Sequence, residues 1–462
     1  MREHDNTALV EASRNHEEVV PVHIVDESFF SEHTLGYPRV RFWSESLKKL
    51  KKGMGDGKDL VVRRGEPLEE LQRLVDEVEA DKLYYNREYT PYAKKRDSRI
   101  EESLDTSVES FKDSVMFEKK EILTNSGTPY KVYSYYKKKW FKNTKRKPQK
   151  VEDYKTPELE SVEIPGPEEM GFEMPDEMEW VWDASRDAGL ERMEEFKDLI
   201  LDYDRDRDYA WKDATSRLSP HLKFGTVSPR EVFWEAERVK ARNQDSDISG
   251  IETWQEELAW RDYYFQILWN YPHEVDEPFM DKYRGNEPDW DSRGQTPEKW
   301  NAWVEGKTGY PFVDAGMRQL KETGWMHNRL RMVVTNFSCK DLWLEWRDVH
   351  EYFSKMFVDA EISAMVGGIQ WSYSIGTDAQ PYFRVFNPTS QAEDYDPDGN
   401  YIRKWVPELE DVPDKYIHEP WKMPEEVQRN CGVEIGKDYP DRIVNHDEER
   451  KRSVERFEKI EN

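Results

Sequence analysis

The feature that most restricts the fold is a change of hydrophobic rhythm partway along the chain. Up to about residue 140, short β-branched runs alternate with helical stretches. "VVPVHIVD" (19–26) is strand-like and ends in an acid. "RVRFWSESLKKLKKG" has helical spacing and stops at Gly53. "DLVVRRGEP" reads as strand then turn, and Pro67 suits the first turn of the helix "LEELQRLVDEVEA". "KLYYNREY" is another strand. Short strands separated by helices predict a parallel α/β sheet. From Trp180 onward the spacing is of the 3.6-residue type, and 16 of the 18 tryptophans lie at or after that residue. These rhythms divide the chain into an α/β domain over 1–141, an acidic linker over 142–179 and a helical domain over 180–462. The linker is expected to wrap the surface as a solvated charge run. No Gly-x-Gly-x-x-Gly fingerprint supports a dinucleotide site in the first domain.

Net charge is -27. Such acidity argues against nucleic-acid partners, because phosphates repel a negative surface. The acids are, however, spread along the whole chain, as expected of a protein adapted to very high salt. There the Debye length falls to roughly 3 Å or less, and only local basic patches report on partners. We favour that reading. Lys223, Arg230, Arg329, Arg384, Arg403 and Lys404 could form a positive rim, or could be scattered surface charge. Cys339 and Cys431 are the only cysteines. They support neither a disulfide framework nor a zinc site, so a reducing cytoplasm is expected. No apolar run approaches the ~20 residues that span a bilayer, and "MREHDNTALV" is not a signal peptide. "DPDGN" (396–400) lacks the terminal Glu of a calcium loop and reads as a turn. The C-terminal "DEERKRSVERFEKIEN" reads as a charged surface helix.

Four polar stretches stand out in the helical half. "TSRLSPHLKFGTVSPREVF" (215–233) sets hydroxyls of Thr215, Ser216 and Ser219 around Arg217. That set suits a pyrophosphate or, equally, an ordinary helix cap. In "TWQEELAWRDYYFQ" (253–266), Trp254, Glu257 and Arg261 share one helical side, and Trp260 and Tyr264 form an aromatic pair. Glu257 and Arg261 have the spacing of an i,i+4 ion pair, which would leave the flanking tryptophans unexplained. "TGWMHNRLRM" (323–332) puts Asn328, Arg331 and Met332 on one side of a helix, where an amphipathic helix would carry aliphatic residues. In "FVDAEISAMVGGIQWSYSIGTDAQPYFRVFNPTSQ" (357–391), Asp359 and Glu361 precede Gly367 and Gly368. Those glycines are expected to let the backbone approach a ligand.

Taken together, "TSRLSPHLKFG", "GKTGYPFVDAGMRQL", "GWMHNRLRM" and "GTDAQPYFRVFNP" closely resemble the photolyase/cryptochrome family, most of all the branch that repairs cyclobutane pyrimidine dimers. The resemblance covers nearly the whole chain. It implies a Rossmann-like antenna domain followed by an all-helical domain that holds FAD in a bent form. It also implies that Tyr203, Thr215, Ser216, Arg217, Leu218, Ser219, Trp254, Glu257, Asn328, Arg331, Asp359, Ala360 and Glu361 contact the cofactor, with Arg331 and Asp359 paired. Glu257, Trp260, Asn328, Met332 and Trp371 match the cavity that receives a flipped-out dimer, with Trp260 and Trp371 as its walls. Glu257, Trp260, Arg261, Tyr264, Asn328, Arg329 and Gln391 match DNA contacts. Trp303 and Trp346 match the outer members of the electron relay. The implied reaction is light-driven: excited reduced flavin lends an electron to the dimer, the ring opens, and the electron returns. The implied partner is UV-damaged DNA, met by a monomer.

Three departures from the family pattern qualify these expectations. The turn "REHDN" follows Met1 directly where several apolar residues are usual. The first strand of the sheet is therefore expected to be missing and the reading frame truncated, by about five to six residues plus a turn. Met365 stands where dimer photolyases usually have Asn, and a thioether cannot offer an amide's hydrogen bonds. Ile369 replaces the tryptophan nearest the flavin. In "YNREYTPYAKKRD" (85–97), Tyr92 and Ala93 replace the polar pair of folate-binding members, so a deazaflavin or an empty antenna site is expected rather than a folate. Two roles stay open: a repair enzyme, favoured because Glu257, Trp260, Asn328 and Trp371 all remain, or a blue-light photoreceptor without repair activity.

Overall fold

The structure, a computed structural model, describes residues 1–32 and 34–461. The first half carries four short strands: β1 (Val22–Val25), β2 (Val61–Arg64), β3 (Lys82–Asn86) and β4 (Ser107–Phe111). They form two parallel pairs, β1 with β2 from Val22 opposite Val61, and β3 with β4 from Lys82 opposite Ser107. Among the described residues the two pairs share no ladder. Six helices accompany them: α1 (Thr7–Asn15), α2 (Glu27–Glu32), α3 (Tyr37–Gly53), α4 (Pro67–Val78), α5 (Pro91–Ser103) and α6 (Tyr133–Lys142). Pro67 does open α4, with the Glu66 carboxylate accepting from the Glu69 N–H. The strand β4, "SVESF", carries too little apolar alternation to be read in advance. It forms because β3 offers it a partner.

Packing divides the molecule earlier than composition does. Met116, Ile122, Tyr133, Tyr136 and Trp140 lie in one apolar core with Phe196, Trp254, Tyr263 and Ile267 of the helical half. Asp262, on the helix Ser249–Asn270, secures this seam by accepting from the N–H groups of Met116 and Phe117 and from the Trp140 indole. The segment 142–179 does wrap the α/β half, but it is not merely solvated. Tyr154, Ile164 and Met178 are buried along it, and Ile164 shares a core with Val25, Val40 and Leu47. The C-terminal helix His446–Glu461 is likewise more than surface, because its Phe457 is fully buried against Tyr283, Trp290 and Trp343. In "DPDGN" the buried Asp396 accepts from the N–H groups of Tyr401 and Ile402, which makes it a turn. Among the described residues no cluster of His, Cys, Asp and Glu could hold a metal ion. Likewise no helix there is long and apolar enough to cross a membrane.

The two halves are joined by a buried set of four charges. Arg2 reaches Asp113 at 2.7 Å, and Arg230 reaches both Asp5 at 2.7 Å and Asp113 at 2.8 Å. Thr7 adds its N–H and hydroxyl to Asp113 at the start of α1, and the Ser228 hydroxyl adds one to Asp5. This is what the "REHDN" turn does: it presents Arg2 and Asp5 to the helical half, while Asn6 caps α1 by accepting from the Leu9 N–H. Arg230 therefore leaves the proposed positive rim, because its guanidinium is spent on two buried carboxylates and carbonyls. Arg403 is also engaged, by Asp414 and by the carbonyls of Glu410 and Val412.

Removing one member of a buried ion set strands its partners, a loss of about 3–5 kcal/mol. Arg230→Ala should lower the unfolding free energy by that amount in denaturant titrations. Burial alone would raise the Asp113 pKa, but Arg2, Arg230 and the Thr7 N–H outweigh it and hold the carboxyl well below its ordinary range. A depressed acid contributes fully above its unfolded pKa of about 3.9 and loses that contribution only as pH falls further. The Asp113 contribution to wild-type stability should therefore be constant from pH 7 to pH 5, and a loss of wild-type stability through that window traced to Asp113 by an Asp113→Asn variant would contradict this.

Candidate functional site

The helices Ser249–Asn270 and Asn328–Lys340 both pack on Ile362–Ser372, and the turn at 213–219 joins them through Leu218, in one apolar core with Trp254, and through Arg217 and Ser219 against Trp325. Arg192 shapes that turn by donating to the carbonyls of Thr215 and Ser216 and pairing with Asp213. Arg217 sits in the left-handed region at φ 49°, with its exposed side chain against Asp213 and over the Trp325 ring. Among the described residues the Thr215 and Ser216 hydroxyls have no partner, while the Ser219 hydroxyl accepts from the Trp325 indole. The short helix from Ser219 starts without a side-chain cap. The capping alternative is thus not realised, and the hydroxyls stay available to a ligand. Leu218 is buried beneath them.

Arg331 is fixed by its own helix and by the next. Its Nε donates to the Met326 carbonyl, and its guanidinium pairs with Asp359 at 2.8 Å while lying 4.1 Å over the Phe357 ring. The expected pair is present. Ala360 is buried, and its carbonyl accepts from Arg39 of α3, so the α/β half braces this stretch directly. Glu361 pairs with Lys223 at 2.8 Å through one oxygen. Its other oxygen and the Ser363 hydroxyl are buried and, among the described residues, have no partner. Orphaned buried polar atoms beside free hydroxyls and a fixed cation suit a large polar ligand such as a dinucleotide. Lys223 is consumed here and does not belong to the outer rim.

Glu257 does not pair with Arg261. It pairs with Arg207 at 2.5 Å, and Arg207 lies 5.4 Å over the Tyr203 ring. Burial raises the Glu257 pKa above the ordinary carboxylate value, and Arg207 opposes that rise without cancelling it. Arg261 points elsewhere: it donates to the carbonyls of Ser114 and Leu222 and lies over Phe265. It is a seam residue between the halves, and its expected place among the DNA contacts is not supported. Sequence reading missed Arg207, although it stands four residues after Tyr203, on the same helical side. Beyond Arg207 the charges continue as a ladder: Asp208 faces Arg207 at 4.0 Å and Arg329 at 2.9 Å. Arg329 lies 4.0 Å from the Tyr395 ring, in the helix Pro388–Tyr395 that also carries the half-buried Gln391, whose Oε1 has no partner among the described residues. Asn328 is exposed at the first position of its helix. Burial lowers the His327 pKa to about 4, so its neutral ring caps that helix by accepting from the Arg329 N–H. Met332 lies one turn further in, half-buried.

The aromatic wall is built by stacking. Trp260 lies on Tyr133 with ring centres 3.4 Å apart and planes 11° apart, and Tyr264 follows at 5.6 Å and 25°. Tyr133 comes from α6, a partner no local pattern announces. Trp254 is buried against Phe196, as is Tyr203. Trp371 is half-buried beside Phe386. The two glycines divide their tasks. A Cβ on Gly367 would lie 2.2 Å from the Tyr264 ring, so its smallness serves helix packing and not a ligand, whereas around Gly368 there is open space. Trp303 and Trp346 are both fully buried. Trp303 contacts Trp300, Tyr352 and Phe353, while Trp346 lies beneath Arg347 with its indole on Glu287. Among the described residues they share no ring contact. Ile369 is buried, and the Met365 sulfur lies 4.0 Å from the Ser354 hydroxyl.

Comparison with known proteins agrees with this geometry. The family described as DNA photolyase matches residues 1–157, and the FAD binding domain of DNA photolyase matches residues 254–459. A deoxyribodipyrimidine photo-lyase of Halobacterium salinarum is 37% identical over 434 residues, covering 91% of this chain and 88% of the relative. A bacterial class III photolyase from Agrobacterium tumefaciens superposes with a TM-score of 0.91 at 31% identity, covering 100% and 95% of the two chains. A cryptochrome from Synechocystis sp. superposes at 0.87 with 26% identity, covering 98% and 96%.

Gly367→Ala tests the packing of the wall. The added methyl meets a ring held on both sides, and overpacking of this kind costs about 1–3 kcal/mol. Thermal unfolding should report that loss, whereas Gly368→Ala, with nothing in its way, should be neutral or slightly stabilising.

Proposed function

The chain belongs to the DNA photolyase/cryptochrome family, and from that premise we propose that it is a deoxyribodipyrimidine photo-lyase. It splits cyclobutane pyrimidine dimers in DNA under light and uses FAD. The observation that carries this reading is the pairing of Glu257 with Arg207, one helical turn from the stacked Trp260 and linked through Asp208 to Arg329 beside the exposed Asn328. Thr215, Ser216, Arg217 and Ser219 would hold the FAD phosphates. Arg331, Asp359, Ala360, Glu361, Trp254 and Tyr203 would surround the rest, with Leu218 as floor. When bound, FAD supplies the light-driven one-electron chemistry that opens the dimer ring.

The protein's own contribution is placement. A flipped-out dimer loses its stacking, and Trp260 and Trp371 return part of it. Trp260 is clamped on Tyr133, so it meets the lesion as a rigid face with little entropy left to lose. Glu257, protonated or ionised, offers a short hydrogen bond to the base edges, and Arg207 holds its carboxyl in place. Asn328 adds an amide from the helix start, and Met332 fills the floor with an adaptable apolar side chain. Arg329, Gln391 and Tyr264 stand on the DNA side, though Asp208 already neutralises Arg329.

We propose a monomer as the working unit. The cytoplasm, where the DNA lies, is the place we assign it. For the antenna we propose a deazaflavin or no pigment, because the Tyr92 hydroxyl already bonds to Asp26 at 2.6 Å where a folate would need polar partners. A signalling role without repair is the second reading, and the altered surroundings at Met365 and Ile369 favour it.

Blue light on the reduced holoenzyme should split dimers in a synthetic oligonucleotide, measured by chromatography; a protein that binds FAD but leaves dimers intact would support the signalling role. A hydrogen bond involving a charged group is worth about 1.5–3 kcal/mol. Glu257→Ala should therefore weaken dimer binding by about tenfold or more, measured per flavin-loaded molecule. A separate outcome concerns electron supply. An aliphatic Ile369 interrupts the path from Trp346, so flash excitation of the oxidised holoenzyme should give little tryptophan radical in transient absorption. Ile369→Trp should raise that signal.

A further inference from the structure

The two aromatic walls of the cavity are held in different ways. Trp260 lies face to face on Tyr133, with ring centres 3.4 Å apart. Trp371 is half-buried in the last turn of the helix Ile362–Ser372, and its ring neighbour among the described residues is Phe386, at 6.4 Å and without stacking. The place of Trp371 therefore depends on its backbone, and so on the stretch 373–387 that follows. This stretch runs for fifteen residues without regular structure before the helix Pro388–Tyr395.

The stretch is anchored at both walls. Near Trp371 it folds back on the helix end. The N–H groups of Ile375 and Gly376 donate to the Gln370 carbonyl, and a Cβ on Gly376 would lie 2.9 Å from the Trp371 nitrogen. The Gln380 amide donates to the Ser372 carbonyl, and the Phe386 N–H donates to the Asn336 side chain. On the Trp260 side, the Asp378 carboxylate accepts from the Tyr133 N–H at 3.1 Å, and the Thr377 hydroxyl bridges the Tyr263 hydroxyl and the Lys131 carbonyl. Helix α6 has no side-chain cap of its own, so Asp378 supplies the acceptor and the negative charge that its first turn lacks. Tyr133 passes the restraint on: its ring holds Trp260, and its hydroxyl donates to the Glu256 carbonyl, one residue before Glu257. Ser374 and Asp378 lie in the left-handed region, at φ 64° and 47°. A residue other than glycine stays there only where its surroundings compel it.

We infer that Asp378 is a positioning residue for the lesion cavity: its carboxylate clasps the stretch that carries the Trp371 wall to the Tyr133 that carries the Trp260 wall, and so fixes the gap the dimer enters. This rests on the repair reading above. Two walls at a set spacing meet a flipped-out dimer with little left to order, whereas a wall free to drift must be ordered by the ligand. Undamaged DNA puts no dimer between the walls, so the clasp acts on selectivity for the lesion and not on duplex binding in general.

The test uses FAD-loaded protein and two fluorescent duplexes, one with a dimer and one without. Glycine adopts left-handed backbone freely but has no carboxylate, whereas asparagine also tolerates it and keeps an acceptor oxygen. Asp378→Gly should weaken binding of the dimer duplex by about three- to tenfold, the ordering cost of one aromatic side chain, and leave the undamaged duplex unchanged. Asp378→Asn should stay within about twofold of wild type, since the two residues serve equally well as helix caps. Thr377→Val keeps the shape but cuts the second tie, and it should repeat the glycine pattern; it decides the matter if the glycine variant does not fold. A glycine variant that binds the dimer duplex as wild type does, one that weakens both duplexes alike, or an asparagine variant that fails as badly overturns the clasp. A wild type without preference for the dimer overturns the repair reading instead. The clasp is then judged by hydrogen exchange at the Tyr133 amide, which it requires to be faster in Asp378→Gly than in Asp378→Asn.

Discussion

The four buried charges contributed by Arg2, Asp5, Asp113 and Arg230 hold the architecture in place. They sum to zero, lie almost wholly out of solvent, and join the first turn of the chain, the exit of β4 and the helical half. Charges this deep are stable only as a complete set. Position therefore matters more than strength: any displacement of one half against the other leaves an unpaired charge. The sheet alone could not give that register, since it is two separate ladders. The α/β half is tied to the site through the same region, by Arg39 on the Ala360 carbonyl and by Arg261 and Asp262 along the seam.

The site repeats this logic at its own scale. Glu257, Arg207, Asp208 and Arg329 alternate in sign from the cavity to the start of the 328–340 helix. Each side chain is oriented by the next, so the carboxyl at the cavity is held before any ligand arrives. Preorganisation of this kind lowers the ordering cost of binding. The aromatic side is built likewise: Tyr133 fixes Trp260, and Gly367 makes room for Tyr264.

Charge at large and charge in detail point in different directions here. The net acidity suggests a protein that avoids nucleic acid, yet the stretch 122–151, which carries no Asp or Glu, reaches the cavity wall through Tyr133. Of the six cations first considered for a rim, Arg230 is buried, Lys223 and Arg403 are bound internally, Arg329 is neutralised by Asp208, and Arg384 and Lys404 remain exposed. Composition averages over such differences; local pairing does not.

The two-part organisation was legible in the sequence, because the switch from alternating strands and helices to helices alone is a local periodicity. So were the unusual polar positions on the 249–270, 328–340 and 362–372 helices, since three- and four-residue spacing puts them on shared faces whatever those faces meet. The Arg331–Asp359 pair followed from resemblance and is present. Tertiary structure alone decided which partner each charge and ring would take. Spacing offered Glu257 the nearby Arg261, yet Arg207 took it. Spacing left Arg230 on a surface, yet two carboxylates far away in the chain buried it. Gly367 faces a ring and not a ligand, and Trp303 is sealed in the core. The physical reason is the same throughout. Periodicity records which side of an element is apolar, whereas the pairing of long side chains depends on which elements pack together, and that depends on contacts distant in sequence.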